Sequence, residues 1–317
     1  MNARFFTSVL CLSLLLTLGA CHRSARNSAP SETERAARGD SLTFLVFGDW
    51  GKYGGQQQQA VADRMDIVGR HHGIRFIIST GDNFYYAGVR NTSDRHWQAS
   101  FEEVYNRSGH QVPWYPVLGN HDYGTNPQAQ IEYSALSERW RMPARYHSLK
   151  QRMGDGYSAL FLFTDTSPLV NANHGNRMGD LDQQDTAAQR RWLADALSDS
   201  KDTWKIVIGH HPVYSAGPHR DTRELIGRFE PIFLQTRTDF YLAGHDHSLQ
   251  HLHRDGDPVH YLVSGGGSEA TRIHRHPHAR FTRSSTGFLI MTLYRDRATA
   301  YFYNKNGRLL YRNDFRR

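Results

Sequence analysis

Gly48-Asp49-Trp50-Gly51 follows the apolar run 42–47, and Gly81-Asp82-Asn83-Phe84-Tyr85 follows the run 76–80. Between them, residues 56–69 carry Val61, Met65 and Val68 at i, i+4 and i+7. That is the apolar stripe of a helix, with Gly69 or Gly73 to end it. Strand, helix and strand make a βαβ unit with Asp49 and Asp82 at equivalent strand ends. The pattern recurs in Gly119-Asn120-His121-Asp122 after 116–118, Gly209-His210-His211-Pro212 after 205–208, and Gly244-His245-Asp246-His247 after 240–243. Five strands, each ended by glycine and then a potential ligand, describe a binuclear metal site at the carboxyl edge of a sheet. Its candidate ligands are Asp49, Asp82, Tyr85, Asn120, His210, His245 and His247.

Outward from these motifs, residues 93–105 read as a second helix striped by Trp97, Phe101 and Val104. Residues 157–164 read as a strand, and 169–185 as a polar loop. Thr186-Ala187-Ala188-Gln189 has the spacing of a capping box, opening a helix that runs through Leu197. Residues 222–235 are helical in part, with Pro231 bending or ending the helix. Strands are expected at 241–243, 260–264, 288–294 and 299–303. No helix separates the last three, so the C-terminal part is expected to be antiparallel.

The chain has 317 residues, 38% of them hydrophobic and 12% aromatic, which suits a folded soluble enzyme and not a disordered chain. A formal charge of +7 is modest for this length and fits both steering of anionic substrates and an ordinary surface. There is no basic stripe interleaved with aromatics, so nucleic acid is not the main partner. At the N-terminus Arg4 precedes an apolar segment, 5–18, too short to span a membrane comfortably. It ends Leu18-Gly19-Ala20-Cys21, which resembles a bacterial lipobox; the other reading is an ordinary secretory signal with a coincidental cysteine. The expected organisation is a lipoprotein signal peptide (1–20), a tether starting at a lipidated Cys21 (21–40), and one catalytic domain (41–317). Cys11 would leave with the signal, so no disulfide is possible. A polar tether of this length spans roughly 25 Å as a random coil. His22, not Asp, follows Cys21, and by the same resemblance this points to a bacterial cell envelope and an outer membrane anchor facing the periplasm.

The five ordered motifs resemble the calcineurin-like metallophosphoesterase signature. Within it they are most similar to purple acid phosphatases of the small, tartrate-resistant type. Most members open with Asp-x-His, but here Asp49-Trp50-Gly51 lacks that histidine. Tyr85 stands three residues after Asp82, where purple acid phosphatases place an iron-binding tyrosinate. The likeness runs from about Leu42 to the C-terminus. It implies an α/β fold, an αββα sandwich of two mixed β-sheets flanked by helices. It also implies that Asp49, Asp82, Tyr85 and His247 hold Fe3+, while Asp82, Asn120, His210 and His245 hold Fe2+, Zn2+ or Mn2+, with Asp82 bridging. The implied reaction is hydrolysis of small phosphate monoesters, an acid phosphatase activity, by in-line attack of a metal-bound hydroxide. A trivalent ion implies an acidic to near-neutral optimum. His121, and His219 in Ser215-Ala216-Gly217-Pro218-His219, match outer-sphere histidines that contact phosphate and assist departure of the leaving group.

A phosphodiesterase or nucleotide pyrophosphatase would use the same site, and a non-catalytic metal-binding surface lipoprotein is a minor alternative. Other residues take blander readings. His211 is expected to be structural, and Asp246 to face away from the metals and hold its loop. His251 and His253 are expected on a strand near the site, and His274, His276 and His278 in an exposed loop. His71 and His72 fall in a helix-ending turn, and Trp50 could line the site or pack. The polar loop 169–185 resembles in position the mobile loop that covers the site in the tartrate-resistant type.

Overall fold

Alternation along single strands decides the layering. In β1 (Leu42–Phe47), Phe44 and Val46 join one buried cluster, whereas Leu45 and Phe47 join another. Successive side chains of a strand point to opposite faces, so this strand is covered on both sides. The computed structural model describes Met1 and residues 41–154, 156–174 and 179–317. The expected signal peptide, Cys21 and the tether lie outside the described residues.

After β1 come α1 (Gln56–His72), β2 (Ile77–Ser79), α2 (Arg95–Trp97), β3 (Trp114–Pro116), α3 (Gln128–Glu132), β4 (His147–Met153) and β5 (Tyr157–Phe163). Then follow α4 (Thr186–Asp199), β6 (Trp204–Ile208), α5 (Arg223–Arg228), α6 (Glu230–Thr236), β7 (Phe240–Ala243), β8 (Leu249–Leu252) and β9 (His260–Ser264). The chain closes with β10 (Ala279–Arg283), β11 (Gly287–Leu293), β12 (Arg297–Asn304) and β13 (Leu309–Arg316). One sheet has the order β13-β12-β11-β1-β2-β3 and the other β10-β8-β9-β7-β6-β5-β4. Both are mixed. In the first, β1 pairs in parallel with β2 and antiparallel with β11.

Three apolar clusters fill the layers. Phe44, Val46, Phe161, Ile208, Leu242 and Met291 lie between the sheets. Val61 and Met65 of α1 pack with Leu45 and Phe47 on the outer face of the first sheet. Leu193 and Leu197 of α4 and Phe233 of α6 pack with Leu162 and Val207 on the outer face of the second. This is the αββα sandwich. Among the described residues no helix is long and apolar enough to cross a membrane.

Several expectations need correction. Residues 93–105 do not form one α-helix. α2 is a single turn capped by the Asp94 carboxylate, and a π turn at Gln98–Glu102 follows it. The extra residue in that turn lets Trp97, Phe101 and Tyr105 all face the core. Asp185, not Thr186, caps α4, accepting from Ala188 N–H at 2.9 Å. Gln189 does not complete a capping box; it turns inward to bond both backbone groups of Asp165. Residues 222–235 form two helices, with Pro231 in the first turn of α6. The C-terminal part is antiparallel only in part: β9 is antiparallel to β8 but parallel to β7, because β8 serves as the crossover between β7 and β9. The expected loop 169–185 contains two short 3-10 turns, Asn171–Asn173 and Leu181–Gln183. The strands β4, β10 and β13 were not expected, and the strand expected at His251 and His253 is β8, which carries His251 but ends before His253; β4 and β13 alternate polar and exposed residues and carry little apolar signal.

Candidate metal centre

Five strands deliver their next residues to one place: β1, β2 and β3 from the first sheet, β6 and β7 from the second. The two sheet edges are locked together there. Gly48 N–H donates to Ser264 at 2.8 Å, and Gly267 N–H to Gly48 at 3.0 Å. Three candidate ligands adopt left-handed backbone: Asp49 at φ 62°, Asp82 at 48° and His245 at 67°. Non-glycine residues seldom do this, and the turn aims each side chain across the strand ends. Gly119 permits the close approach, since a Cβ there would sit 2.2 Å from Asp82 Oδ1.

All seven candidate ligands converge, in two groups that share Asp82. In one, Tyr85 Oη lies 3.0 Å from Asp82 Oδ2, 3.2 Å from Asp49 Oδ1 and 2.9 Å from His247 Nε2. In the other, His210 Nε2 lies 3.1 Å from Asn120 Oδ1, 3.2 Å from His245 Nδ1 and 3.5 Å from Asp82 Oδ1. Burial, then the Asp82 and Asp49 carboxylates, push the Tyr85 phenol well up. Burial opposes charge on His210, but Asp82 and Asp49 outweigh it and raise its pKa. His247 is raised too, against burial, by its bond to Asp49. Burial and the neighbouring histidines 211, 210 and 219 push His245 well down.

This donor set fits a pair of cations. His210 Nδ1–H donates to Thr80 at 2.9 Å, so Nε2 carries a lone pair. In the neutral ring that lone pair faces the oxygens of Asn120 and Asp82, so either a proton, as the raised pKa favours, or a cation must lie between them. Two buried carboxylates and a phenol complete the set, and such charge persists in an interior only when paired or bound to metal. Asp49, Asp82 and His210 offer atoms within 4.8 Å of one another, as do His210, His211 and His245. His211 nonetheless has protein partners on both ring nitrogens, Thr166 Oγ1 at 2.9 Å and Asn173 at 3.3 Å. Its structural reading therefore stands.

His121 and His219 flank the two groups. The His121 ring is 4.6 Å from that of Tyr85, its Nδ1–H donates to Tyr86 O at 2.7 Å, and its Nε2 is 4.0 Å from Asp82 Oδ2. The His219 ring is 4.1 Å from His245, with Nδ1 2.9 Å from Asp246 Oδ1. Asp246 is fully buried, turned from the ligands, and also accepts from Ser215 Oγ and from His219 N–H. It holds the loop that carries His219.

Trp50 packs: it is fully buried, with Nε1–H donating to Ser79 at 2.8 Å. His251 and His253 are not near the site. His251 bonds Tyr311 and His260, and His253 stacks on His260 at 3.9 Å. His71 and His72 occupy the last turn of α1, and of the third histidine loop His276 bonds Asp221 at 3.1 Å.

Sequence reasoning missed Asp122. Its buried carboxylate accepts from the N–H groups of Asn83, Phe84 and Gly119 and from Gln130, pinning the loops after β2 and β3 together. Burial and then Asp82 push it up to about 7 against those bonds. The only sequence signal was its place two residues after Asn120.

A model of the calcineurin-like phosphoesterase family matches residues 42–249. Purple acid phosphatase 7 of Arabidopsis thaliana is 34% identical over 99% of this chain and 97% of its own length. This chain belongs to the purple acid phosphatases. Tartrate-resistant acid phosphatase type 5 of Oryctolagus cuniculus is 36% identical over 72% of this chain and 73% of its own. Among solved structures, GAP50, the anchor in the inner membrane complex of Plasmodium, shares the fold with a TM-score of 0.77 at 24% identity, covering 87% of this chain and 89% of that one.

Proposed function

We propose that the protein is a phosphoric monoester hydrolase, an acid phosphatase of the purple type acting on small phosphorylated substrates. The observation that carries this is the division of seven donors into two groups of four around one shared carboxylate, Asp82. Asp49, Asp82, Tyr85 and His247 would hold Fe3+, because an anionic phenolate suits a strong Lewis acid. Asp82, Asn120, His210 and His245 would hold Fe2+, Zn2+ or Mn2+, which suit imidazole and amide donors. When bound, the ions supply Lewis acidity toward the phosphoryl oxygens and lower the pKa of water.

The chain's own residues do the rest. Thr80 fixes His210 in the tautomer whose Nε2 faces inward. Asp246 does the same for His219, leaving its Nε2 to face substrate. His121 sits beside Tyr85 and His219 beside His245, and either ring, as an imidazolium protonated at Nε2 as well as Nδ1, can give the Nε2 proton to the departing alkoxide oxygen. We expect an acidic to near-neutral optimum. The test is a visible spectrum and metal analysis on one purified sample, with hydrolysis of 4-nitrophenyl phosphate. A coloured protein that loses its band in Tyr85→Phe and cleaves the ester is the expected result. A protein loaded with two metals that cleaves no monoester would overturn the reading. Lipidation of Cys21 and an envelope location remain part of this proposal, supported by Leu18-Gly19-Ala20-Cys21. Intact-mass measurement of the membrane-extracted protein tests them.

A further inference from the structure

Two side chains of opposite charge close over the Tyr85 edge of the metal centre. Lys52 Nζ is ion-paired to Glu269 Oε2. The same Glu269 oxygen lies 3.5 Å from His247 Nδ1, and the same ammonium lies 4.8 Å from the centre of the Tyr85 ring. Lys52 comes from the turn after β1 and Glu269 from the turn after β9, so this is a long-range meeting. Both turns are pinned. Lys52 N–H donates to Gln58 Oε1 at 3.0 Å. Ser268 Oγ donates to the carbonyl of Asp49 at 2.6 Å, and Thr271 N–H to the carbonyl of His247 at 2.8 Å. The backbone around Glu269 is thus tied to two candidate ligands.

An exposed ion pair contributes little to stability. Its consequence here is local. His247 Nε2 faces Tyr85 Oη and Asp49, while Nδ1 faces Glu269. Nδ1 has no hydrogen-bond partner among the described residues, and Glu269 at 3.5 Å is the carboxylate placed to accept its proton, which would leave the lone pair of Nε2 toward the metal position. The ammonium, against the face of Tyr85, is attracted by the ring and stabilises negative charge on it.

We propose that Lys52 and Glu269 are positioning residues of the Tyr85–His247 half-site: Glu269 sets the tautomer and angle of His247, and Lys52 lowers the energy of the Tyr85 phenolate. The inference rests on the metal-site reading above. The test compares wild type, Glu269→Gln, Lys52→Met and Lys52→Arg as purified holoproteins, by chelator competition and visible spectroscopy. Glu269→Gln is expected to weaken metal retention about 10- to 100-fold at one of the two sites. Lys52→Met is expected to move the phenolate-to-iron band to longer wavelength, because the donor is no longer stabilised, and Lys52→Arg to restore it. A merely structural role would move neither the band nor its rescue. Wild-type retention in Glu269→Gln together with an unmoved band in Lys52→Met overturns the inference. Should wild type hold two colourless divalent ions, the ferric reading fails but the inference is still decided. Faster metal loss from Glu269→Gln upholds it, and equal loss overturns it.

Discussion

Two groups of buried and half-buried histidines occupy opposite ends of the second sheet, and of the two only the first contains rings whose pKa is raised. At the carboxyl ends of β6 and β7, His210 faces Asp82, and just beyond, His247 faces Asp49. Both are raised in pKa despite burial. At the other end, His251 and His260 bond each other at 3.1 Å among Tyr311, Phe315 and His253. There burial, and then electrostatic repulsion from neighbouring rings and Arg280, pushes His251 down to about 3 and His260 to about 2. Sequence sets His210 and His247 apart as candidate ligands but places His251 and His253 near the same site. What separates them is whether a carboxylate at a strand end shares their interior.

Removing that carboxylate breaks the contrast most severely. Asp82→Asn should lower kcat by about a thousandfold or more, since it takes the shared donor from both ions. Metal analysis on the same sample should show loss of at least one ion per chain. His121→Ala and His219→Ala should each cost about 10²- to 10⁴-fold in kcat with metal retained; full activity in both variants would remove them from proton transfer. His251→Phe, at the other end, should leave metal content and kcat near wild type, and a large loss would show that the two ends are coupled.

The same variant sharpens the comparison through pH. The folded pKa of His251 lies far below the unfolded value near 6.5. As pH falls from about 6.5, the unfolded chain takes up its proton first. The contribution of the neutral ring is therefore present above about 6.5 and is lost progressively as pH falls toward 3. Between pH 6.5 and 5 the stability of His251→Phe relative to wild type should rise by at most about 2 kcal/mol in urea melts. No change with pH would mean that His251 is already charged in the fold. The smallest effect expected is at α4: Asp185→Ala should cost about 1 kcal/mol, and Thr186→Ala distinctly less.

The sandwich and the centre were legible for one reason. Each of five strands ends in glycine followed by a donor, and apolar runs mark the strands themselves. The rest is carried by contacts between residues distant in sequence. Asp122 acts through Asn83, some forty residues away, and Glu269 through Lys52, across most of the chain. Neither partnership leaves a local pattern. The cap of α4 was misread because Thr186 and Gln189 have the right spacing while Gln189 has a better partner in Asp165. His251 and His253 follow the last motif in sequence, but β8 runs away from the site, so two strand residues are enough to carry them out of reach.

The left-handed backbone of Asp49, Asp82 and His245 has a consequence for how far this protein can be improved. Each such residue costs about 1–3 kcal/mol relative to relaxed backbone, and each sits where glycine would be at ease. The centre is thus a place where selection for activity and selection for robustness pull apart. A screen for heat tolerance alone would drift toward glycine at these three positions, and the sturdier protein it returned would have lost three of the seven candidate donors.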